Sequence, residues 1–156
     1  MKLGILAVGH KLPEWVGKGC AEYIKRMPRE LPLAVVEIKP EPRGSKTREQ
    51  LLAAEKTRLQ PALQGFARVV VLDERGADLT TLQLAQRLEE WMREGGDTAF
   101  IIGGADGIDE TLKQRADDTI RLSSLTLPHA MARLILCEQL YRAVTVIKNH
   151  PYHREG

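Results

Sequence analysis

Four polar side chains crowd the end of this chain: His150, Tyr152, His153 and Arg154. Between them they can donate, accept and stack, a combination that suits a nucleobase or a phosphate. A frayed terminus with no task is the plain alternative. With His129, the tail histidines also invite a zinc reading, but no acidic or cysteine partner stands at a fixed spacing. Pro151 also breaks any helix that would hold both rings on one face. No metal is expected.

Upstream, His129 follows Pro128 in the first turn of an apolar segment. The positive end of a helix dipole keeps an imidazole there neutral, able to accept a proton or a hydrogen bond. A capping or packing histidine reads equally well. The same segment carries Arg133, Glu138 and Arg142. Glu138 and Arg142 are four apart with the acid first, the favourable order for a helical ion pair. Such a pair is either a solvated bridge worth roughly a few tenths of a kcal/mol or, given its apolar neighbours, part of a site or interface. A third signal is the cluster Gly103, Gly104 and Gly107. Glycines between a strand and a helix let backbone approach a ligand and expose amide donors. The spacing fits neither a dinucleotide fingerprint nor a P-loop, so a simple tight turn remains open.

These residues must be positioned by regular elements, and hydrophobic periodicity supplies an alternating set. Strands are expected at Leu3–Val8, Leu33–Ile38, Arg68–Leu72, Thr98–Ile102 and Thr119–Leu122. The third is expected to end at Asp73-Glu74-Arg75-Gly76. Helices are expected over Glu14–Met27, from Thr47 towards Pro61, after the capping-box pair Thr80 and Gln83, over Asp109–Ala116, and over His129–Ile147. The last is apolar around most of its circumference. It should therefore be buried on two sides, one against the sheet and one against a second subunit. Alternation of this kind predicts an α/β fold with a mostly parallel sheet flanked by helices. Ligands bind outside the carboxyl ends of such strands. The segments 73–80, 103–107 and 123–128 lie there.

Bulk properties set limits. A chain of 156 residues with no visible linker or repeat reads as one domain, residues 1–156. Cys20 and Cys137 suggest neither a disulfide framework nor a thiolate metal site, as in a reducing compartment. Neither a secretory signal nor a membrane span is expected, which points to the cytoplasm and to no membrane partner. The 23 basic residues barely exceed the 21 acidic ones. Naked duplex gripped by charge alone is thus a poor match, and any nucleic-acid binding must rest on a local patch, on shape or on a preassembled particle.

Four segments in order carry a family resemblance: I-I-G-G-A-D-G at 101–107, L-S-S-L-T-L-P-H at 122–129, R-L-I-L-C-E-Q-L-Y-R-A at 133–143 and P-Y-H-R-E at 151–155. With the opening K-L-G-I-L-A-V-G and P-E-W at 13–15, the chain resembles the bacterial large-subunit (23S) ribosomal RNA pseudouridine N3-methyltransferases of the SPOUT class. The resemblance spans the whole chain and is densest after residue 100.

It implies a SPOUT-type fold with a C-terminal trefoil knot, a homodimer whose site is completed by the partner, and S-adenosylmethionine as cofactor. It further implies a pseudouridine substrate in large-subunit rRNA, presented by the assembled ribosome. The cofactor loops would correspond to Leu72 and Asp73, Gly103 and Gly104, and Ser123, Ser124, Leu125, Thr126, Leu127 and Pro128. Tyr152 and Arg154 would bind and orient the base, with His129 or His153 near the departing proton. Arg142, Arg133 and Glu138 would position tail and substrate. Two rivals stand beside this reading: a SPOUT enzyme acting on tRNA, and a noncatalytic nucleotide-binding module associated with ribosomes.

Overall fold

A computed structural model describes residues 1–9 and 11–154; His10, Glu155 and Gly156 lie outside the described residues. The last residue of the P-Y-H-R-E tail is therefore not placed.

Five parallel strands form one sheet, β1 (Leu3–Val8), β2 (Leu33–Ile38), β3 (Arg68–Asp78), β4 (Thr98–Ile102) and β5 (Asp118–Arg121), in the order β2-β1-β4-β3-β5. Every residue of β1 and β4, two of its three inner strands, is buried. Both read as unbroken apolar runs because both of their faces are covered. Alternate side chains feed two cores. Leu3, Ile5, Ala7, Phe100 and Ile102 pack under α1 (Glu14–Arg26), α3 (Thr81–Glu94) and α5 (His129–Ile147). Leu6, Val8, Ala99 and Ile101 pack under α2 (Arg48–Leu63) and α4 (Glu110–Arg115).

Local chemistry accounts for the boundaries. Thr47 and Thr80 are N-caps, each forming a full capping box with Gln50 and Gln83. Met27 is extended and stays outside α1, one residue short of the expected end, because the residue before a proline disfavours helical backbone. Helix α2 runs past Pro61 to Leu63. A proline there removes one N–H bond, and the helix ends two residues later, so the loss stays local.

The main departure is β3. Instead of ending before Asp73 it continues to Asp78, and Leu72 and Ala77 both pair with Ile120 of β5. Residues 73–76 are thrown out as a bulge. Gly76 makes this possible: a β-carbon on it would lie 2.5 Å from the Ile120 carbonyl carbon. The Asp-Glu-Arg-Gly signal therefore marks an excursion within a strand, not its end.

Helix α5 packs on α1 and α3, and after it the chain closes in a 3-10 turn at Pro151–Arg154. Among the described residues no helix is long and apolar enough to cross a membrane, and no group of three His, Cys, Asp or Glu is arranged to hold a metal ion.

Candidate cofactor cleft and tail cluster

From β1 the chain crosses to β2 on one side; from β4 it crosses to β5 on the other. The sheet thus has a switch point between β1 and β4, where a crevice opens beyond the strand ends. A cleft of about 1560 Å³ lies there, larger than the ~300–1,000 Å³ of a typical small-ligand site. It has room for a cofactor and a nucleotide beside it.

Leu72, Asp73, Gly103, Gly104 and residues 123–127 all line this cleft. Pro128 does not; it is the N-cap of α5, and its carbonyl accepts the Ala132 N–H at 2.9 Å. The glycine segment is a tight turn and a cleft wall at once. The Gly107 N–H donates to the Gly104 carbonyl at 3.1 Å, and Gly107 sits at φ +91°. A β-carbon on Gly103 would meet the Gly107 carbonyl oxygen at 2.5 Å, so bare backbone forms this wall. Opposite it, Leu125 is 75% exposed, its N–H held by the Ser123 hydroxyl at 2.9 Å.

Sequence reasoning missed the other side of the cleft. Lys11, Leu12 and Pro13 after β1, Lys39–Arg43 after β2, and Arg48, Leu51 and Glu55 of α2 also line it. Arg43 clasps the Asp106 carboxylate with two contacts of 2.6 and 2.7 Å, and Arg48 donates to the Asp106 carbonyl at 2.9 Å. Glu55 is buried and accepts the Glu41 N–H at 3.1 Å. The strand-end rule applied to β1 and β2 would have found this wall.

His129 stands at the inner end of the cleft. Its Nδ1 lies 3.1 Å from the Gly103 carbonyl and its Nε2 lies 3.1 Å from a guanidinium nitrogen of Arg133. A carbonyl only accepts and a guanidinium only donates, so the ring carries its proton on Nδ1 and its lone pair on Nε2. Burial first, and then the Arg133 charge, lower the His129 pKa below 6.5. Arg133 itself is fully buried. It reaches Glu37 of β2 at 3.3 Å, and its Nε–H has no partner among the described residues. Such an orphan costs on the order of 1–3 kcal/mol.

The tail lies elsewhere. Arg142 is thirteen residues beyond His129 on α5, about 20 Å along the axis at 1.5 Å per residue. There the Tyr152 hydroxyl is 3.3 Å from both Tyr23 and Glu138. Its ring stacks edge-on to Tyr141 at 4.8 Å, under the Arg142 guanidinium at 4.9 Å. Arg142 pairs with Glu138 at 2.7 Å. Burial, then the Tyr23 hydroxyl and the Glu138 carboxylate, raise the Tyr152 pKa, so its hydroxyl stays a donor. Arg154 is exposed and donates to the Asn149 side chain at 3.3 Å, while the His153 Nδ1 is buried with no partner among the described residues. Glu138, Arg142 and Tyr152 are thus brought together, but away from the cleft.

Residues 1–153 match a family model described as "Predicted SPOUT methyltransferase". Over 156 residues, all of both chains, the sequence is 72% identical to a protein of Dechloromonas aromatica named "Ribosomal RNA large subunit methyltransferase H". A protein of the same name from Paraburkholderia xenovorans is 59% identical over 99% of each chain. Two solved structures share the fold. One is a probable methylase family protein from Haemophilus influenzae (TM-score 0.51, 19% identity, 96% of this chain and 67% of that one). The other is TrmJ from Z. mobilis (TM-score 0.53, 18% identity, 91% and 70%).

Proposed function

Because this chain belongs to the SPOUT methyltransferase family, and is a large-subunit ribosomal RNA methyltransferase like its full-length relatives, we propose that it methylates N3 of a pseudouridine in that RNA from S-adenosylmethionine. The observation that carries this reading is the convergence of the β3, β4 and β5 loops on one cleft at the switch point.

The residues fit the cofactor. Leu72, Ile102, Leu125 and Leu127 give an apolar slot for adenine, and Gly103 and Gly104, with no side chain of their own, let the ligand approach the backbone closely. The bound cofactor supplies a methyl group on a sulfonium, an electrophile that needs no metal. The protein must hold the base nitrogen in line with that methyl and accept the imide proton. Alignment contributes on the order of 7–11 kcal/mol in favourable cases, and a general base about 10²–10⁴-fold.

Both ring nitrogens of His129 are engaged, so it holds the cleft and does not take the proton. His153, with an unpartnered Nδ1, fits that task better. Tyr152, kept protonated, donates to the base, and the exposed Arg154 reaches it by leaving Asn149. Since the tail docks about 20 Å along α5 from its own cleft, it serves the cleft of a second subunit. The half-buried stripe Met131, Ile135, Glu138 and Arg142, at helical spacing on α5, is the face that a homodimer would cover. The assignment includes the C-terminal trefoil knot of the class, one SPOUT domain over residues 1–156, and action in the cytoplasm on the assembled ribosome.

The test is methyl transfer from labelled cofactor to intact ribosomes, separated subunits, naked rRNA and tRNA from a strain lacking the gene, with the product nucleoside identified by mass spectrometry. Incorporation into N3-methylpseudouridine of large-subunit rRNA is expected. Incorporation into tRNA alone, or no turnover with any RNA, overturns the assignment.

A further inference from the structure

Arg133 is the largest fully buried side chain of the molecule, and a role as a solvated helical charge is closed to it. It lies where four elements meet. Glu37 of β2 holds one guanidinium nitrogen at 3.3 Å and His129 of α5 receives another at 3.1 Å. The buried thiols of Cys20 on α1 and Cys137 on α5 feel its charge. Beyond His129, the imidazole bonds the Gly103 carbonyl of the β4 loop. Its Nε2 edge fills the space over Gly9 after β1, where a β-carbon would be 2.8 Å away. One rigid ring therefore touches both loops that flank the switch point.

We propose that Arg133 is a positioning residue of the cofactor cleft, locking His129 as the Nδ1–H tautomer so that its ring sets the spacing of the Gly9 and Gly103 loops. The proposal rests on the cofactor reading for its effect on binding, but not for the tautomer. A donor at Nδ1 is needed to hold the Gly103 carbonyl, and the Arg133 cation at Nε2 selects the neutral form by requiring a lone pair there. An imidazolium would place a second charge beside Arg133 and beside a sulfonium ligand. Losing Arg133 therefore does two things: it frees the ring to turn, and it lets the ring protonate at a higher pH. The other groups facing this pair are the Gly103 carbonyl from β4, the Gly9 backbone from β1, Glu37 from β2 and the Cys20 and Cys137 thiols.

The experiment has a ligand-free arm and a binding arm. Long-range proton–nitrogen NMR of the wild-type ring at pH 7 is expected to show Nδ1–H; an Nε2–H tautomer or an imidazolium overturns the proposal without any variant. In the binding arm, calorimetry with S-adenosylhomocysteine compares wild type, Arg133→Met and Arg133→Lys. Met should weaken binding about 10- to 100-fold, the size seen when outer partners of a binding group are removed. It should also raise the His129 titration and make the affinity fall as pH drops from 7.5 to 5.5. Lys, which can still donate to Nε2, should recover most of the affinity and the wild-type tautomer. Equal affinities in a folded Met variant overturn the proposal. If the Met variant does not fold, the Lys variant and the wild-type tautomer decide it. Wild-type protein that fails to bind the ligand would sink the cofactor assignment, and the NMR arm would still judge Arg133.

Discussion

A β-carbon is tolerated at some glycines of this chain and not at others, according to what faces each position. Gly17, on α1, has nothing within 4 Å of where a β-carbon would be, whereas at Gly103 the Gly107 carbonyl oxygen and Ile108 would be met at 2.5 and 2.6 Å. Gly17→Ala is expected to stabilise the protein by about 0.5–1 kcal/mol, and Gly103→Ala to destabilise it by about 1–3 kcal/mol, both read from urea midpoints. His129 sets a pH limit at the same scale. Its pKa is lowered in the folded protein from an ordinary 6.5, so the unfolded chain binds the proton more readily. The stability it contributes is present above about pH 6.5 and is lost as pH falls through the folded value. Denaturation midpoints should decline between pH 7 and 5, and His129→Gln should flatten that decline. A slope unchanged in the variant would assign it to other groups.

Elements were legible in proportion to how continuously their chemistry is written along the chain. The unbroken apolar runs Leu3–Val8 and Thr98–Ile102, and the apolar His129–Ile147, match their expected bounds residue for residue. Strand β3 was misread because bulge and turn use the same residues, Asp, Glu, Arg and Gly; only the pairing with β5, remote in sequence, tells them apart. The β3, β4 and β5 loops of the cleft could be placed by the strand-end rule. That rule also reaches the loops at 11–13 and 39–43, but not the α2 side chains Arg48 and Glu55, since α2 has no sharp apolar face, nor the Arg43–Asp106 clasp, which joins residues 63 apart. The Thr80–Gln83 capping box is local and was legible. Thr80→Ala, which removes the acceptor for the Gln83 N–H, should cost about 1 kcal/mol, a fall of about 2–4 °C in Tm for a chain of this size. Scanning calorimetry gives the value directly.

At the scale of the whole molecule, the tail and the cleft of this chain are separate pieces of equipment. Truncation after Asn149 removes Tyr152, His153 and Arg154 but no residue lining the cleft. Binding of S-adenosylhomocysteine should survive, while rRNA methylation falls by at least about 10²-fold, the lower range for loss of acid–base groups. Retained methylation at the wild-type rate would remove the tail from the mechanism. The near balance of 23 basic and 21 acidic residues also has a measurable result. Affinity for free RNA should be weak, with a shallow dependence on salt, because few phosphates are neutralised. A steep slope in filter binding would point instead to an extended basic track.

The placement of β2 has a further consequence. It is an outer strand of the sheet, six residues long and bounded by Pro32 and Pro40. Its unpaired backbone would accept a strand from another molecule, the usual starting point for aggregation. The two prolines confine that template, and Glu37, 56% exposed, sets a charge on it while its carboxylate reaches inward to Arg133. Gatekeeping against self-association and support of a buried arginine thus fall on one side chain, so a hydrophobic replacement there would compromise solubility and the interior together.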